Sequence, residues 1–471
     1  MIKPDKHPSR LTDQLARALS TKSLDEAPWG SIVSRVMAAS LTAVNPATAI
    51  RDIMHREGNE LIVGELRYDL ARFKRIILVG AGKAGAPMAS AVVPMVDDLN
   101  YSGLVIVKES HTTTAFTGEQ IPKVEILEAG HPLPDKRGIK ATKRLCGLLA
   151  NATEQDLVIC LLSGGGSALL ASPVNGIRLD ELQSINNTLL GCGADISEIN
   201  SIRKHIETLK GGQLARLASP ATLVSLILSD VIGDRLDAIA SGPTTPDLTT
   251  YRQAYQVLEK YAVLGEVPES ILEHLNAGLR NKLPETPKPG SAFFEKVTNL
   301  IIGSNILAAR AALAQAKLEG LNQLLLTTFL QGEARYAGSA LGAIARQIGS
   351  SGEPIGRPAC LVAGGETTVT LQGNGLGGRN QEVALGAVNE LHGLTDIVLT
   401  TLATDGGDGP SDAAGAVVTG KTWQRAADLG LYPDDFLQQN NAYHYFKPLE
   451  DLIHTGPTGT NVNDLTFIFA F

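Results

Sequence analysis

The sequence predicts an α/β protein in two successive stretches, the first built on a mostly parallel sheet with helices on both faces. Three observations carry that expectation. Short, continuous apolar runs such as Ile76–Val79, Leu157–Leu162 and Leu223–Leu228 read as strands buried on both faces. Segments with helical apolar spacing separate them, the alternation that brings parallel strands together. Most runs empty directly into glycine-rich or acidic turns, where open parallel sheets place their ligands.

In chain order, residues 9–22 and 31–44 carry helical spacing. The run Ile76–Val79 then enters Gly80-Ala81-Gly82-Lys83-Ala84-Gly85, after which small and apolar residues suit a helix. LVIV at 104–107 and KVEIL at 123–127 read as strands, and 136–150 as a helix. DLVICLL at 156–162 repeats the strand-to-glycine pattern, two or three helices fill 178–217, and TLVSLILSD at 222–230 is a further buried strand. The turn-rich stretch SGPTTPDLTT at 241–250 is the preferred boundary, dividing the chain into 1–245 and 246–471. A second alternation follows, with strands near 300–304 and 324–328, a strand pair over 360–371, a helix from Asn380, a strand at 397–403 and a C-terminal apolar strand.

The chain of 471 residues is 44% apolar and carries a net charge of −8, with no long basic run. A nucleic acid or an anionic membrane is not the expected partner. The N-terminus lacks the apolar core of a signal peptide, and no run of about 18 apolar residues could span a bilayer. Cys146, Cys160, Cys192 and Cys360 are scattered, with no CxxC pair. These features predict a soluble, cytoplasmic protein with reduced thiols.

The chemistry-bearing candidates lie in the turns. A glycine turn from strand to helix is expected to leave backbone N–H groups facing an anion, so Gly80, Gly82 and Gly85 form the first candidate cradle. Lys83 adds a full positive charge, which suits transfer of a phosphoryl group better than mere holding of one. Ser163, Gly164, Gly165, Gly166 and Ser167 form a second anion loop. Lys210, beside the Gly211–Gly212 break, is a candidate ligand contact. Asp230, at a strand mouth, could orient a hydroxyl or hold a metal. The loop GNGLGGRNQE opens a helix with Gly377, Gly378, Arg379 and Asn380, and a guanidinium there can stabilise phosphoryl oxygens. Asp405, Asp408 and Asp412 follow a buried strand, and the first two suit Mg²⁺. TGPTGTNVND, with Asn461, is a polar loop before the last strand.

Three glycine-lined anion sites, a lysine, an arginine and an aspartate group together point to phosphoryl transfer, where catalysis is largely positioning and charge neutralisation. GAGKAG also satisfies the dinucleotide pattern G-x-G-x-x-G. Glu109, 24 positions past Gly85 (109 minus 85), is then the ribose acceptor and His131 a proton donor, which makes an NAD(P)H-dependent hydroxypyruvate reductase the second reading. A sugar-phosphate-binding regulator without chemistry is the third.

GAGKAG, AGHPLPD, SGGGSALL, RKH with KGGQLA, LSDVIGD with SGPT, GGETTV, GGRNQE, TDGGDG and TGPTGTNVND, in that order, resemble the class II glycerate 2-kinases, whose C-terminal half is the MOFRL domain. The resemblance spans roughly residues 30–470. It implies phosphorylation of D-glycerate to 2-phosphoglycerate with ATP and Mg²⁺. It also implies a Rossmann-like N-terminal domain and a smaller α/β domain, with the active site in the cleft between them. The family's active-site lysine and arginine fall on Lys83 and Arg379. Leu376 stands where members often carry a basic residue. Oligomeric state stays open between a monomer and a homodimer.

Overall fold

The computed structural model describes residues 10–109 and 121–471; the N-terminal residues read above for a signal peptide lie outside them up to residue 9. Packing divides the chain into two compact units, Pro46–Ile302 and a second formed by Met1–Asn45 with Gly303–Phe471.

In the first unit, β1 (Met54–Glu57), β2 (Glu60–Val63) and β3 (Leu66–Asp69) make a small antiparallel sheet that the sequence analysis did not anticipate. The main sheet comprises β4 (Arg75–Ala81), β5 (Tyr101–Lys108), β6 (Val124–Ala129), β7 (Asp156–Leu162), β8 (Thr222–Leu228) and β9 (Val297–Gly303) in the order β6-β5-β4-β7-β8-β9. The pairings from β6 through β8 are all parallel. Every residue of β7 is buried, as a strand covered on both faces requires. The chain moves outward from β4 through β5 to β6, then returns to lay β7 on the other flank of β4. The gap between β4 and β7 is therefore the topological switch point, where the loops at the strands' carboxyl ends part and leave a crevice. GAGKAG leaves β4 there, and SGGGS leaves β7. Helices Leu179–Gly191, Ile196–Ile206, Tyr251–Lys260 and Glu269–Leu279 build a separate apolar cluster around Leu182, Ile202, Leu258 and Ile271.

In the second unit, β10 (Asn322–Leu330), β11 (Ala359–Gly365), β12 (Ile397–Ala403), β13 (Gly415–Thr419), β14 (Leu452–Ile453) and β15 (Asp464–Ala470) take the order β10-β11-β15-β12-β13-β14. The C-terminal strand β15 is central, antiparallel to both β11 and β12. This sheet is mixed. The helix Gly30–Ala43 and its neighbours pack in this unit: Arg35 forms a two-pronged pair with Glu319 at 2.7 and 2.8 Å, and Trp29 stacks on Phe471 at 5.1 Å.

The units thus divide the chain at 45/46 and 302/303, not at 245/246. Residues 241–245 are buried within the first unit, and β9 joins its sheet. The strand pair read over 360–371 is a single strand, Ala359–Gly365. Beyond it the backbone N–H of Thr370 is drawn to the Glu333 carboxylate at 3.1 Å instead of to a sheet partner. No helix among the described residues is long and apolar enough to cross a membrane.

Candidate functional site

The β4 turn is stitched into its neighbours. Gly82 N–H donates to Ile106 O at 3.0 Å, Lys83 N–H to Gly164 O at 2.9 Å and Gly85 N–H to Gly82 O at 3.1 Å. Ala84 N–H donates to Ser163 Oγ at 3.0 Å. Gly82 is required: its φ is +142°, and a Cβ there would lie 2.0 Å from Ser163 Oγ. The expected cradle of outward N–H groups is therefore corrected, because residues 82–85 spend those donors on strand β5, on the β7 loop and within the turn itself. What the turn contributes to the switch point is the half-buried Lys83. A dinucleotide turn needs those same N–H groups for a pyrophosphate. Glu109, the expected ribose acceptor, is held instead by Arg137 at 3.3 and 3.4 Å.

Ser163 is buried and ties the β7 loop to the β4 turn, whereas Ser167 is half-buried. Asp230, after β8, packs its carboxylate over Gly164, where a Cβ would come within 2.2 Å of Oδ2. His131 lies against Gly165, with a would-be Cβ contact of 2.9 Å to the ring. Asp230, Gly164, Gly165, Gly166, Ser167, His131 and the β4 turn thus form one loop cluster.

Ser241 is a member of this cluster that the sequence analysis did not single out. It sits in a run of left-handed backbone, Ala240 at φ 50°, Ser241 at 61° and Gly242 at 62°. A non-glycine residue held there costs about 1–3 kcal/mol, and such strain concentrates at functional positions. The segment brings the Ser241 hydroxyl to 2.7 Å from Ser167 Oγ and 2.8 Å from Asn200 Oδ1. Its carbonyls accept from Gly211 N–H and Gly212 N–H at 3.0 and 2.8 Å, so it clamps the β7 loop and the Gly211–Gly212 break together.

Lys210 does not face a ligand. It is 2% exposed and ion-paired with Glu207, itself buried and accepting from Ser172 N–H at 3.1 Å. Burial pushes the Lys210 ammonium below its ordinary range, partly offset by Glu207. Lys204 is likewise committed, to Asp247 at 3.3 Å and Asp237 at 3.6 Å.

In the second unit, Arg379 is the first residue of the helix Arg379–Leu391, after Gly378 at the cap position. Gly377 sits against Ala442. The free N–H groups of this helix meet Asp408: Asn380 N–H donates to Oδ1 at 3.0 Å and Gln381 N–H to Oδ2 at 2.8 Å, with Asn380 Nδ2 at 3.3 Å from Oδ1. The anion at this helix end is thus the protein's own carboxylate. Burial pushes Asp408 up to about 6 despite these bonds. Asp405 is exposed and accepts from Gly407 N–H at 3.2 Å. Among the described residues no group of three acidic, histidine or cysteine side chains could hold a metal. The expected Asp405–Asp408 magnesium site is corrected accordingly, since Asp408 spends its oxygens as a cap.

The Arg379 guanidinium is oriented by two carboxylates that the sequence analysis did not name. Nε and Nη2 reach Asp464 at 2.5 and 3.3 Å, and Nη1 reaches Glu366 at 3.0 Å. Burial works against its charge, but Asp464 and then Glu366 outweigh it and push Arg379 above its ordinary value. Asp464 is drawn up by burial against the pull of Arg379. Asn461 accepts from Asn463 N–H at 3.0 Å, closing the turn that delivers Asp464 to the start of β15. The usable signal for Glu366 and Asp464 was their place at strand ends, in GGETTV and GTNVND.

Residues 32–276 match the family described as a domain of unknown function (DUF4147), and residues 359–464 match the MOFRL family. A Thermotoga maritima protein named D-glycerate 2-kinase is 43% identical over 83% of this chain and 89% of its own length. The chain belongs to the glycerate kinase family with a MOFRL domain. A Pyrococcus horikoshii glycerate 2-kinase is 38% identical across 92% of this chain and 95% of its own. The crystal structure of a Thermotoga maritima glycerate kinase superposes with a TM-score of 0.82 at 38% identity, covering 98% of this chain and all of that one. Membership in this family marks the chain as an enzyme that uses a nucleotide phosphoryl donor.

Proposed function

We propose that this protein transfers the γ-phosphoryl group of ATP to the 2-hydroxyl of D-glycerate, forming 2-phosphoglycerate, in the cytoplasm. The observation that carries the reading is Lys83 in the turn leaving β4 at the switch point, flanked by the β7 loop and Asp230. Other relatives bear the name putative hydroxypyruvate reductase. The internal spending of the GAGKAG N–H groups and the Arg137–Glu109 pair disfavour a nicotinamide cofactor here.

In this reading Asp230 orients the acceptor hydroxyl. The hydroxyl oxygen forms a bond to the γ-phosphorus as the bond to the β,γ-bridging oxygen breaks and ADP leaves, and the hydroxyl proton passes to the Asp230 carboxylate. Lys83 places its ammonium against the charge on the transferring group, and Arg379, aligned within its own unit by Asp464 and Glu366, is the other candidate phosphate-binding cation. The loose transition state of phosphoryl transfer makes such positioned charge the main catalytic device. Mg²⁺ enters as part of the nucleotide substrate, because Asp405 and Asp408 do not fit a resident site.

Phosphorus NMR of a reaction with ATP, Mg²⁺ and D-glycerate tests donor, reaction and regiochemistry together. The expected product is 2-phosphoglycerate, and Lys83→Ala is expected to lower kcat at least about a hundredfold with the fold intact. No phosphorylated glycerate, or near-wild-type turnover by Lys83→Ala, overturns the assignment.

A further inference from the structure

We infer that Ser167 is a specificity-determining residue that accepts a hydrogen bond from the spectator hydroxyl of the substrate, the 3-hydroxyl of glycerate under the reading above, on which this inference rests. Hydrogen-bond polarity assigns Ser167 this role. Asn200 places one end of its amide 3.3 Å from the carbonyl oxygen of Ala238. A carbonyl only accepts, so that end is the NH₂ group and the other end, facing Ser241, is the oxygen. Ser241 must then donate its proton to Asn200 Oδ1, at 2.8 Å. With that proton spent, Ser241 can only accept from Ser167, at 2.7 Å, and Ser167 is the donor of that bond.

The chain of bonds runs one way, Ser167 to Ser241 to Asn200 to Ala238, and it leaves Ser167 with lone pairs alone to offer. Asn200 and Ser241 are 3% and 0% exposed, whereas Ser167 is half-buried, so the chain is locked at its inner end and accessible at its outer one. A hydroxyl that only accepts repels a carboxylate or phosphate oxygen and pairs with a donor.

The same chain explains which hydroxyl it holds. The relay ends at a backbone carbonyl, which cannot take up and pass on a proton. Ser167 is thus a fixed acceptor and no general base, suited to a hydroxyl that keeps its proton throughout the reaction. The left-handed run at Ala240–Gly242 is the device that holds Ser241 in this position, and Ser241 and Asn200 are positioning residues acting through Ser167.

The test compares kcat/KM for D-glycerate and for D-lactate, which keeps the carboxylate and 2-hydroxyl but lacks the 3-hydroxyl. Ser167→Ala is expected to lower the value for D-glycerate roughly ten- to a hundredfold and that for D-lactate less than about threefold. Ser241→Ala, which leaves Ser167 in place but frees its proton, is expected to narrow the preference in the same direction; a purely structural role would lower both substrates alike. Equal losses on the two substrates, or an undiminished preference for D-glycerate in Ser167→Ala, overturn the inference while the kinase reading stands. If the wild-type protein phosphorylates no D-glycerate, that reading falls and this inference with it.

Discussion

Asp408 is expected to make the second unit less stable as pH rises from 4 to 7. Its carboxyl caps the helix Arg379–Leu391 from a position that is 2% exposed, and burial raises it to about 6 from an ordinary 3.8. A carboxyl raised on folding is protonated in the folded protein over a range where the unfolded chain has already lost the proton. The resulting stabilisation is fully present below 3.8 and is lost as pH rises through about 6. A change from 3.8 to about 6 corresponds to on the order of 3 kcal/mol. Other carboxyls titrate over the same range, so the informative quantity is a difference between two proteins. Asp408→Asn has no proton to lose, and urea unfolding of both proteins at pH 4, 5, 6 and 7 isolates the contribution of this one group. Wild type should gain on the variant by on the order of 3 kcal/mol between pH 7 and pH 4. A difference that is flat over that range, or that moves in favour of the variant at low pH, would refute the reasoning.

Two further substitutions separate structural from ligand-facing roles. Ser163→Ala removes the acceptor for Ala84 N–H in a buried setting and should lower the stability of the first unit by about 1–3 kcal/mol, measured by urea denaturation. Lys210→Met strands the buried Glu207 charge and should cost about 3–5 kcal/mol, while the double variant Lys210→Met with Glu207→Leu recovers much of that loss, as a double-mutant cycle will show.

The candidate site was legible in the sequence wherever a residue's place at a strand or helix end follows from its immediate neighbours. GAGKAG after Ile76–Val79 announced a turn at a strand end, and Lys83 could be picked as its only charge. The same logic found Arg379 at the start of a helix and Asp230 at the mouth of β8. It failed where a group's partner lies far along the chain. Asp408 looked like a metal ligand because its neighbours are glycines and aspartates, yet its oxygens are taken by N–H groups of residues 380 and 381. Lys210 looked like a ligand contact beside two glycines, yet it is buried on Glu207.

The sequence by itself determined the buried strands, the glycine turns at their ends and the residues of ordered motifs that define the family, because apolar periodicity and backbone permissiveness are properties of short segments. Only the tertiary structure decided which N–H groups and carboxylates were already spent, that β15 sits centrally and antiparallel, and that residues 10–45 pack in the unit of the C-terminal half. Hydrogen-bond capacity is shared among groups hundreds of positions apart. The polarity of the Ser167–Ser241–Asn200 chain exists only once three separate segments, one of them the helix Ile196–Ile206, have been folded onto one another.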